Sequence, residues 1–384
     1  MSKTRILIVA GEASGDLHGA HLIEAIHRLD SSYEFYGLGG NKMRSAGAQT
    51  FFDIERMGAV GIVEVLGDLG HYVKVYRRFA REIANGGYDA VILIDYPTLN
   101  LRLARLCREK GIPVFYVIGP QLWAWRAGRI KEIKRNVSKM FVIFPFEEEV
   151  YRNAGVDVEF VGHPFTETVA PQMTRADGQS YFNLQPDRPT VGLLPGSRRK
   201  EIEMLLGPIL EGAQAIAREL NTCQFILPVA DSIDPEVLKK KAAPYNLDIQ
   251  FVSGKTYDVM NVCDCLIIAS GSATLEAAMI GTPMVIVYKL NALTYWIARP
   301  LVKIKLYGLA NITAGEQVVP ELIQGDLTAQ AIQRETLKFL KDPEYADSVR
   351  NKLLGIRKSL GRPGVMERIA QSIVRALGPG EKKE

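Results

Sequence analysis

The sequence predicts an α/β protein made of two doubly wound parallel-sheet domains. Three observations carry this. Short, near-continuous apolar runs alternate with amphipathic stretches through both halves of the chain. Each half opens on a strand that runs into a glycine-bearing loop and then a helix pattern. Between the halves, residues 171–189 lose the apolar period and gain Pro, Gly, Asp and Gln, as interdomain linkers do. Apolar runs without alternation mark strands buried on both faces, hence a parallel sheet with helices on either side.

In the first half, Arg5 to Ala10 reads as a strand and Leu17 to Leu29 as a helix. Ala90 to Asp95 is a strand, followed by a helix over Leu101 to Lys110. Val114 to Ile118 and Lys139 to Phe144 are further strands, and Phe146 to Ala154 is a helix. Val158 to Val161 closes this half. In the second half, Thr190 to Leu194 is a strand and Ile202 to Leu220 a long helix. Strands follow at Cys223 to Val229, Asp248 to Val252, Cys265 to Ala269 and Met284 to Tyr288. Glu335 to Leu340, Asp347 to Leu360 and Glu367 to Leu377 read as late helices. The expected domains are therefore 1–170, completed by a C-terminal helix within 361–384, and 190–360, with 171–189 as linker. Two such domains imply a cleft, with ligands at the carboxyl ends of the strands.

Composition narrows the function classes. A chain of 384 residues, 47% hydrophobic and 23% charged, suits two folded domains. A net charge of +4 is too small to argue for nucleic acid. It suits anionic substrates or an anionic membrane surface. Four cysteines form no C-x-x-C pair and have no histidine cluster beside them. That argues against zinc or iron–sulfur ligation and for a reducing cytosol. The first apolar run is too short for a signal peptide, and no run reaches the roughly 18 apolar residues of a spanning helix.

Five loops at predicted strand ends carry chemistry. In "LLPGSRRKE" (193–201), Ser197 and Arg198 or Arg199 precede a helix whose free amides favour an anion. The alternative is a helix cap with solvated basic residues. In "ASGSATLEAA" (269–278), Ser270, Gly271, Ser272 and Thr274 crowd a second such turn, and Glu276 sits in the helix behind them. A carboxylate there can accept from a ribose diol, or merely favour the helix dipole. Asp95, before Pro97, reads as a general base at a strand end or as a turn-forming cap. Trp123, Trp125 and Arg126 in "GPQLWAWR" suit stacking on a sugar or base, or core packing. His163 in "VGHPF" acts at the cleft or braces the domain junction.

Two stretches mix apolar, aromatic and basic residues: Met57 to Phe79 and Leu293 to Tyr307. That composition suits a membrane headgroup boundary, an amphipathic core helix or a homodimer contact.

These motifs, in this order, resemble a known family. "AGEASGDLHG" (10–19), "GAVGIVEVLG" (58–67), "IDYPTLN" (94–100), "WAWR" (123–126), "VGHPF" (161–165), "LLPGSRRKEIEMLL" (193–206), "ASGSATLEAAMIGTPMVIVYK" (269–289) and "NITAGEQVVPELIQ" (311–324) are similar to the lipid-A-disaccharide synthases, bacterial glycosyltransferases of the GT-B fold. The resemblance implies transfer from UDP-2,3-diacylglucosamine to the 6-hydroxyl of 2,3-diacylglucosamine 1-phosphate. A β-1,6 disaccharide and UDP result, with inversion at the anomeric carbon. It implies no cofactor or metal, a membrane-peripheral protein at the cytoplasmic face of the inner membrane, and no nucleic-acid partner.

The implied roles are specific. Arg198 would meet the diphosphate and Glu276 the ribose, with Ser197 and Ser270 to Thr274 around the phosphates. Asn311 and Glu316 would complete the donor pocket, and Asp95 would be the base. Glu12, Ser14, Asp16, Trp125, Arg126 and His163 fall on the acceptor side. The glycines at 11, 15 and 19 do not have G-x-G-x-x-G spacing, so this first loop is not read as a dinucleotide loop. One departure stands out: the family pattern D-x-P-D-F-N reads Asp95-Tyr96-Pro97-Thr98-Leu99-Asn100 here. Thr98 replaces the second carboxylate, which concentrates the base assignment on Asp95. A UDP-N-acetylglucosamine 2-epimerase and a non-catalytic module that binds nucleotide-sugar or lipid are the competing readings.

Overall fold

The computed structural model describes residues 3–54, 69–120, 129–290 and 306–378. It divides into two compact units, Met1–Pro164 with Gly361–Glu384, and Phe165–Leu360.

The first unit runs β1 (Thr4–Ala10), α1 (Ala13–Leu29), β2 (Tyr33–Gly39), α2 (Asn41–Ser45), β3 (Gln49–Asp53), α3 (Leu69–Asn85), β4 (Ala90–Ile94), α4 (Pro97–Glu109), β5 (Val114–Val117), α5 (Ile130–Asn136), β6 (Lys139–Val142), α6 (Pro145–Asn153) and β7 (Val158–Phe160). Its described strands form one parallel sheet in the order β3-β2-β1-β4-β5-β6-β7. Successive side chains on a strand point to opposite faces, so a doubly covered strand must be apolar throughout. Ile6 and Ile8 of β1 and Ile92 and Ile94 of β4 pack with Leu22, Ile23 and Ile26 of α1. Leu7 and Val9 of β1 and Val91 and Leu93 of β4 pack on the other face with Val75, Phe79 and Leu103.

The second unit runs α7 (Phe165–Thr168), α8 (Arg175–Tyr181), β8 (Thr190–Leu194), α9 (Arg199–Glu219), β9 (Gln224–Val229), α10 (Pro235–Ala242), β10 (Ile249–Ser253), α11 (Thr256–Val262), β11 (Cys265–Ala269), α12 (Ser272–Ile280), β12 (Met284–Tyr288), α13 (Leu309–Ala314), β13 (Glu321–Ile323), α14 (Ala329–Lys341) and α15 (Pro343–Ser359). Its sheet is also parallel, in the order β10-β9-β8-β11-β12-β13. Leu193, Ile226, Ile267 and Ile286 are wholly buried in it.

Several boundaries differ from the sequence reading. α1 begins at Ala13, so the first loop is only Gly11-Glu12. Gly15 and Gly19 are helix residues where packing is close: an added Cβ would stand 3.2 Å from Ala10 Cβ and 2.7 Å from Met43 Sδ. Residues 171–189 are not a free linker but part of the second unit. α8 lies among them, and its Gly178 faces Val262 too closely for a side chain. Arg175 pairs with Asp264 at 2.5 Å, and Asp258 Oδ1 accepts from the Gln172 and Met173 amides at 2.7 and 2.8 Å. Backbone amides and the Arg175 side chain thus tie the segment to the second unit.

Of the two apolar–basic stretches, 57–68 and 293–305 lie outside the described residues. The remainder of the first belongs to α3. It buries Val75, Phe79 and Ile83 and turns Lys74, Arg77, Arg78 and Arg81 to solvent. That part is an amphipathic core helix with a solvated basic face. Among the described residues, no helix is long and apolar enough to cross a membrane.

The chain leaves the first unit at Pro164 and re-enters it at Gly361, whose φ of +88° requires glycine. The final helix, Val365–Leu377, lays Val365, Met366, Ile369, Ala370 and Ile373 into the same cluster as α1. Arg368 locks it by donating twice to the Val161 carbonyl, at 3.0 and 2.7 Å. Ile369 is fully buried. Ile369→Ala is therefore expected to cost about 2–5 kcal/mol of stability, read from urea denaturation. A loss below about 1 kcal/mol would show that this helix is not integral to the first core.

Candidate active site

In a doubly wound sheet the ligand crevice opens where strand order reverses. The first sheet reverses between β1 and β4, with Ala10 level with Ile94. The loops leaving that point are Gly11-Glu12 and Asp95-Tyr96. The second sheet reverses between β8 and β11, with Leu194 level with Ile268. The loops leaving there are Pro195 to Arg198 and Ser270-Gly271.

In the first unit, Asp95 and Tyr96 are both left-handed, with φ of +46° and +44°. Each such residue costs roughly 1–3 kcal/mol unless its surroundings hold it. Here they do. The Asp95 amide donates to Val117 O at 3.0 Å, and its carbonyl accepts from Tyr116 Oη and Asn100 Nδ2, each at 2.7 Å. The Tyr96 ring lies over Gly11, where a Cβ would stand 2.4 Å from its Cγ. Glycine at 11 is thus needed for close approach. The Asp95 carboxyl is pushed up to about 6, first by burial and then by the neighbouring Glu12 charge, against a bond from the Tyr96 amide.

The acceptor-side candidates divide. Glu12 and Ser14 are exposed at the start of α1. Asp16 is not available to a ligand: it is buried, and its carboxylate accepts from the amides of Gly40, Lys42 and Met43 at 2.6, 3.1 and 3.1 Å. It caps α2 rather than facing a sugar. His163 is also buried, with its ring 5.1 Å from that of Phe144. Burial and, after it, the nearby His18 hold its pKa down at about 3, so the ring is uncharged near neutral pH. Trp125 and Arg126 lie outside the described residues.

In the second unit, a cavity of about 490 Å³ opens at the switch point. Gly196, Ser197, Arg198, Ser270, Gly271, Ser272 and Glu276 all line it. A neighbouring cavity of about 510 Å³ shares Ala230, Thr256 and Glu276 with it and adds Lys255 and Tyr257. Arg198 is 84% exposed at the start of α9. The amides of Ser197 and Arg198 do not stand open: both donate to Glu201 Oε2, at 3.3 and 3.4 Å, and Arg198 Nη1 meets Glu201 Oε1 at 3.2 Å. Any anion approaching these groups would have to displace Glu201. Ser197 is not the cap residue of α9; Arg198 is.

Glu276 is half-buried, accepts from the Ser272 and Tyr257 hydroxyls, and is pushed above the usual carboxylate range by burial. Ser272 and Ala273 open α12 beside it, on the cavity wall. Ser270 Oγ bonds to Tyr307 O at 3.0 Å. Three other donor-side candidates do not line this cavity. Thr274 is fully buried and donates to Gly271 O at 2.8 Å. Asn311 is fully buried and saturated: Nδ2 donates to Val319 O and Glu321 Oε1, and Oδ1 accepts from the amides of Val318 and Val319, all within 3.0 Å. Glu316 is exposed and pairs with Lys352 at 3.2 Å, away from both cavity linings. Glu201, Tyr257 and Tyr116 went unread. Nothing in their local sequence separates them from a capping glutamate or a core tyrosine.

Similarity to known proteins gives the family and the fold. The model of the family described as lipid-A-disaccharide synthetase matches residues 6–370. The lipid-A-disaccharide synthase of Geobacter sulfurreducens is 46% identical over 97% of this chain and 97% of that protein. That of Nitrosococcus oceani is 41% identical over 97% and 96%. Two solved structures share the fold at low identity. A Neisseria meningitidis UDP-GlcNAc 2-epimerase bound to UDP-GlcNAc has a TM-score of 0.63 at 13% identity, covering 97% of this chain and all of that one. The calicheamicin glycosyltransferase CalG4 has a TM-score of 0.61 at 16% identity, over 99% and 100%.

The raised Asp95 pKa has a stability consequence with a definite sign. The folded state holds this proton up to about pH 6, whereas an unfolded aspartate loses it near 3.8. Stability is thus lost as pH rises between those values. Asp95→Asn should raise the melting temperature above pH 6 and change it little below pH 4. A lower melting temperature at pH 7 would contradict the assigned burial.

Proposed function

The chain belongs to the lipid-A-disaccharide synthase family, and on that premise we propose that Asp95 is the general base of its transfer reaction and that the 490 Å³ cavity of the second unit holds the UDP-sugar donor. It is a glycosyltransferase of lipid A biosynthesis. UDP-2,3-diacylglucosamine gives its sugar to the 6-hydroxyl of 2,3-diacylglucosamine 1-phosphate, forming the β-1,6 disaccharide and UDP. Inversion needs one in-line displacement and one base, with no covalent intermediate.

The observation that carries the base assignment is the Asp95 carboxyl itself, at the end of β4 on the switch point, with its pKa near that of a working base at about 6. Ionised above that pH, it takes the proton as the acceptor oxygen attacks. Glu12 and Ser14, both exposed at the start of α1, offer hydrogen bonds to the acceptor sugar's hydroxyls. On the donor side, Arg198 exchanges Glu201 for the diphosphate. The guanidinium and the first amides of α12 then stabilise the negative charge that grows on departing UDP. Glu276 takes the ribose diol, exchanging the Ser272 and Tyr257 hydroxyls for those of the sugar.

Both substrates are acylated, which supports work at a bilayer surface, the cytoplasmic face of the inner membrane. The exposed Lys74, Arg77 and Arg81 on α3 supply a basic face for anionic headgroups. Charge reversal of these three should abolish co-flotation with phosphatidylglycerol vesicles. Retained flotation would move the contact elsewhere. A homodimer is the other use of an apolar–basic surface, and sedimentation of the lipid-free protein reads it directly.

The test of function is incubation with both lipid substrates, measuring disaccharide mass and released UDP. A C2-epimerised sugar formed without acceptor would instead favour the epimerase reading. Asp95→Asn should lose turnover by about 10²–10⁴-fold while UDP still binds. Wild-type turnover should rise with pH through an apparent pKa near 6. Near-normal turnover in Asp95→Asn would sink the base assignment.

A further inference from the structure

We propose that Tyr116 and Asn100 are positioning residues for the transfer step, acting together on the Asp95 carbonyl to hold the strained Asp95-Tyr96 turn in its working geometry. The inference rests on the reading of Asp95 as the base and adds two residues to which that reading gives no role.

The turn is intrinsically unfavourable, because two successive non-glycine residues adopt left-handed backbone. Something must over-determine it. The Asp95 carbonyl can accept two hydrogen bonds, and it receives two, from two different elements: Tyr116 Oη on β5 and Asn100 Nδ2 on α4, both at 2.7 Å. Asn100 also reaches the Ile94 carbonyl at 3.1 Å, which ties the turn to the end of β4. Tyr116 and Asn100 are each fully buried. Neither can touch substrate, so any effect on turnover passes through Asp95.

Tyr116 makes the case specific. β5 is a core strand in which Phe or Leu would fill the same space. Burying a phenol there is unfavourable unless the hydroxyl is paired. Its pairing is with the Asp95–Tyr96 peptide, which flanks the Cα that carries the base carboxylate. Without that bond, the peptide can relax toward the right-handed region, and the carboxylate moves with it. Displacement of a reacting group by about 1 Å is enough to cost two orders of magnitude.

Tyr116→Phe keeps the ring and removes the bond. The expected result is a fall in kcat of about 10–100-fold, with KM for donor and acceptor unchanged within about twofold and the acid limb of the pH–rate profile displaced from its wild-type position. A purely structural hydroxyl would lower the melting temperature and leave the pH limb and kcat alone, and that outcome overturns the proposal. Asn100→Ser removes the other donor and carries the same expectation; it decides the matter if Tyr116→Phe fails to fold. Asp95→Asn, assayed in parallel, separates the two layers. If it keeps turnover, the base reading fails and takes this one with it. If it is inactive while Tyr116→Phe and Asn100→Ser match wild type, the positioning role alone fails.

Discussion

Every described strand of both sheets is parallel, and the central ones are covered on both faces. That constraint governs the rest of the molecule. A peptide group inside such a strand is paired on both edges, and every side chain meets a helix on one face or the other. Polar chemistry has nowhere to emerge except at strand ends. The carboxyl ends next to the reversal of strand order are where neighbouring loops diverge and leave room. Asp95 stands at one such point, and Arg198, Ser270 and Glu276 stand around the other. The chemistry is thus positioned by topology before any particular side chain is chosen.

Within that frame, equivalent residue types have opposite fates. Asp16 and Asp95 follow neighbouring strands in one crevice. Asp16 is buried and saturated by backbone amides at the start of α2, while Asp95 is half-buried beside a second carboxylate. The first is used up in holding a helix; the second keeps a carboxyl whose pKa is pushed up to about 6. Thr274 and Ser272 make the same contrast on α12, one hydroxyl turned into the helix start and the other bonded to Glu276. Glu201 shows a third use: its carboxylate keeps the Arg198 guanidinium and the Ser197 and Arg198 amides paired.

What was hard to read has physical reasons. β2, "YEFYGLG", interleaves polar residues and glycines, and β3 is at the sheet edge, so neither presents an unbroken apolar run. α1 and α4 begin earlier than their apolar period, because their first turns carry Ser, Gly, Thr and Pro instead. The segment 171–189 has the composition of a linker but uses its polar groups on Asp258 and Asp264, which are more than 80 residues further along the chain. Asn311 sits in a motif shared with the family, and its side chain is consumed by Val318, Val319 and Glu321. A motif marks that a residue matters without telling whether it serves ligand or fold.

The sequence by itself determined the two doubly wound units, the strand ends that carry the candidate residues, and the family. These follow from local rules: apolar runs, glycine and proline at turns, and motif order. Only the tertiary structure decided which polar residues are free to act. Burial and hydrogen-bond saturation depend on neighbours distant in the chain, as Gly40 is to Asp16, Glu321 to Asn311 and Tyr116 to Asp95. The base candidate was legible as an aspartate before a proline; the strained turn and the buried phenol that hold it became visible only when β5 was set beside β4.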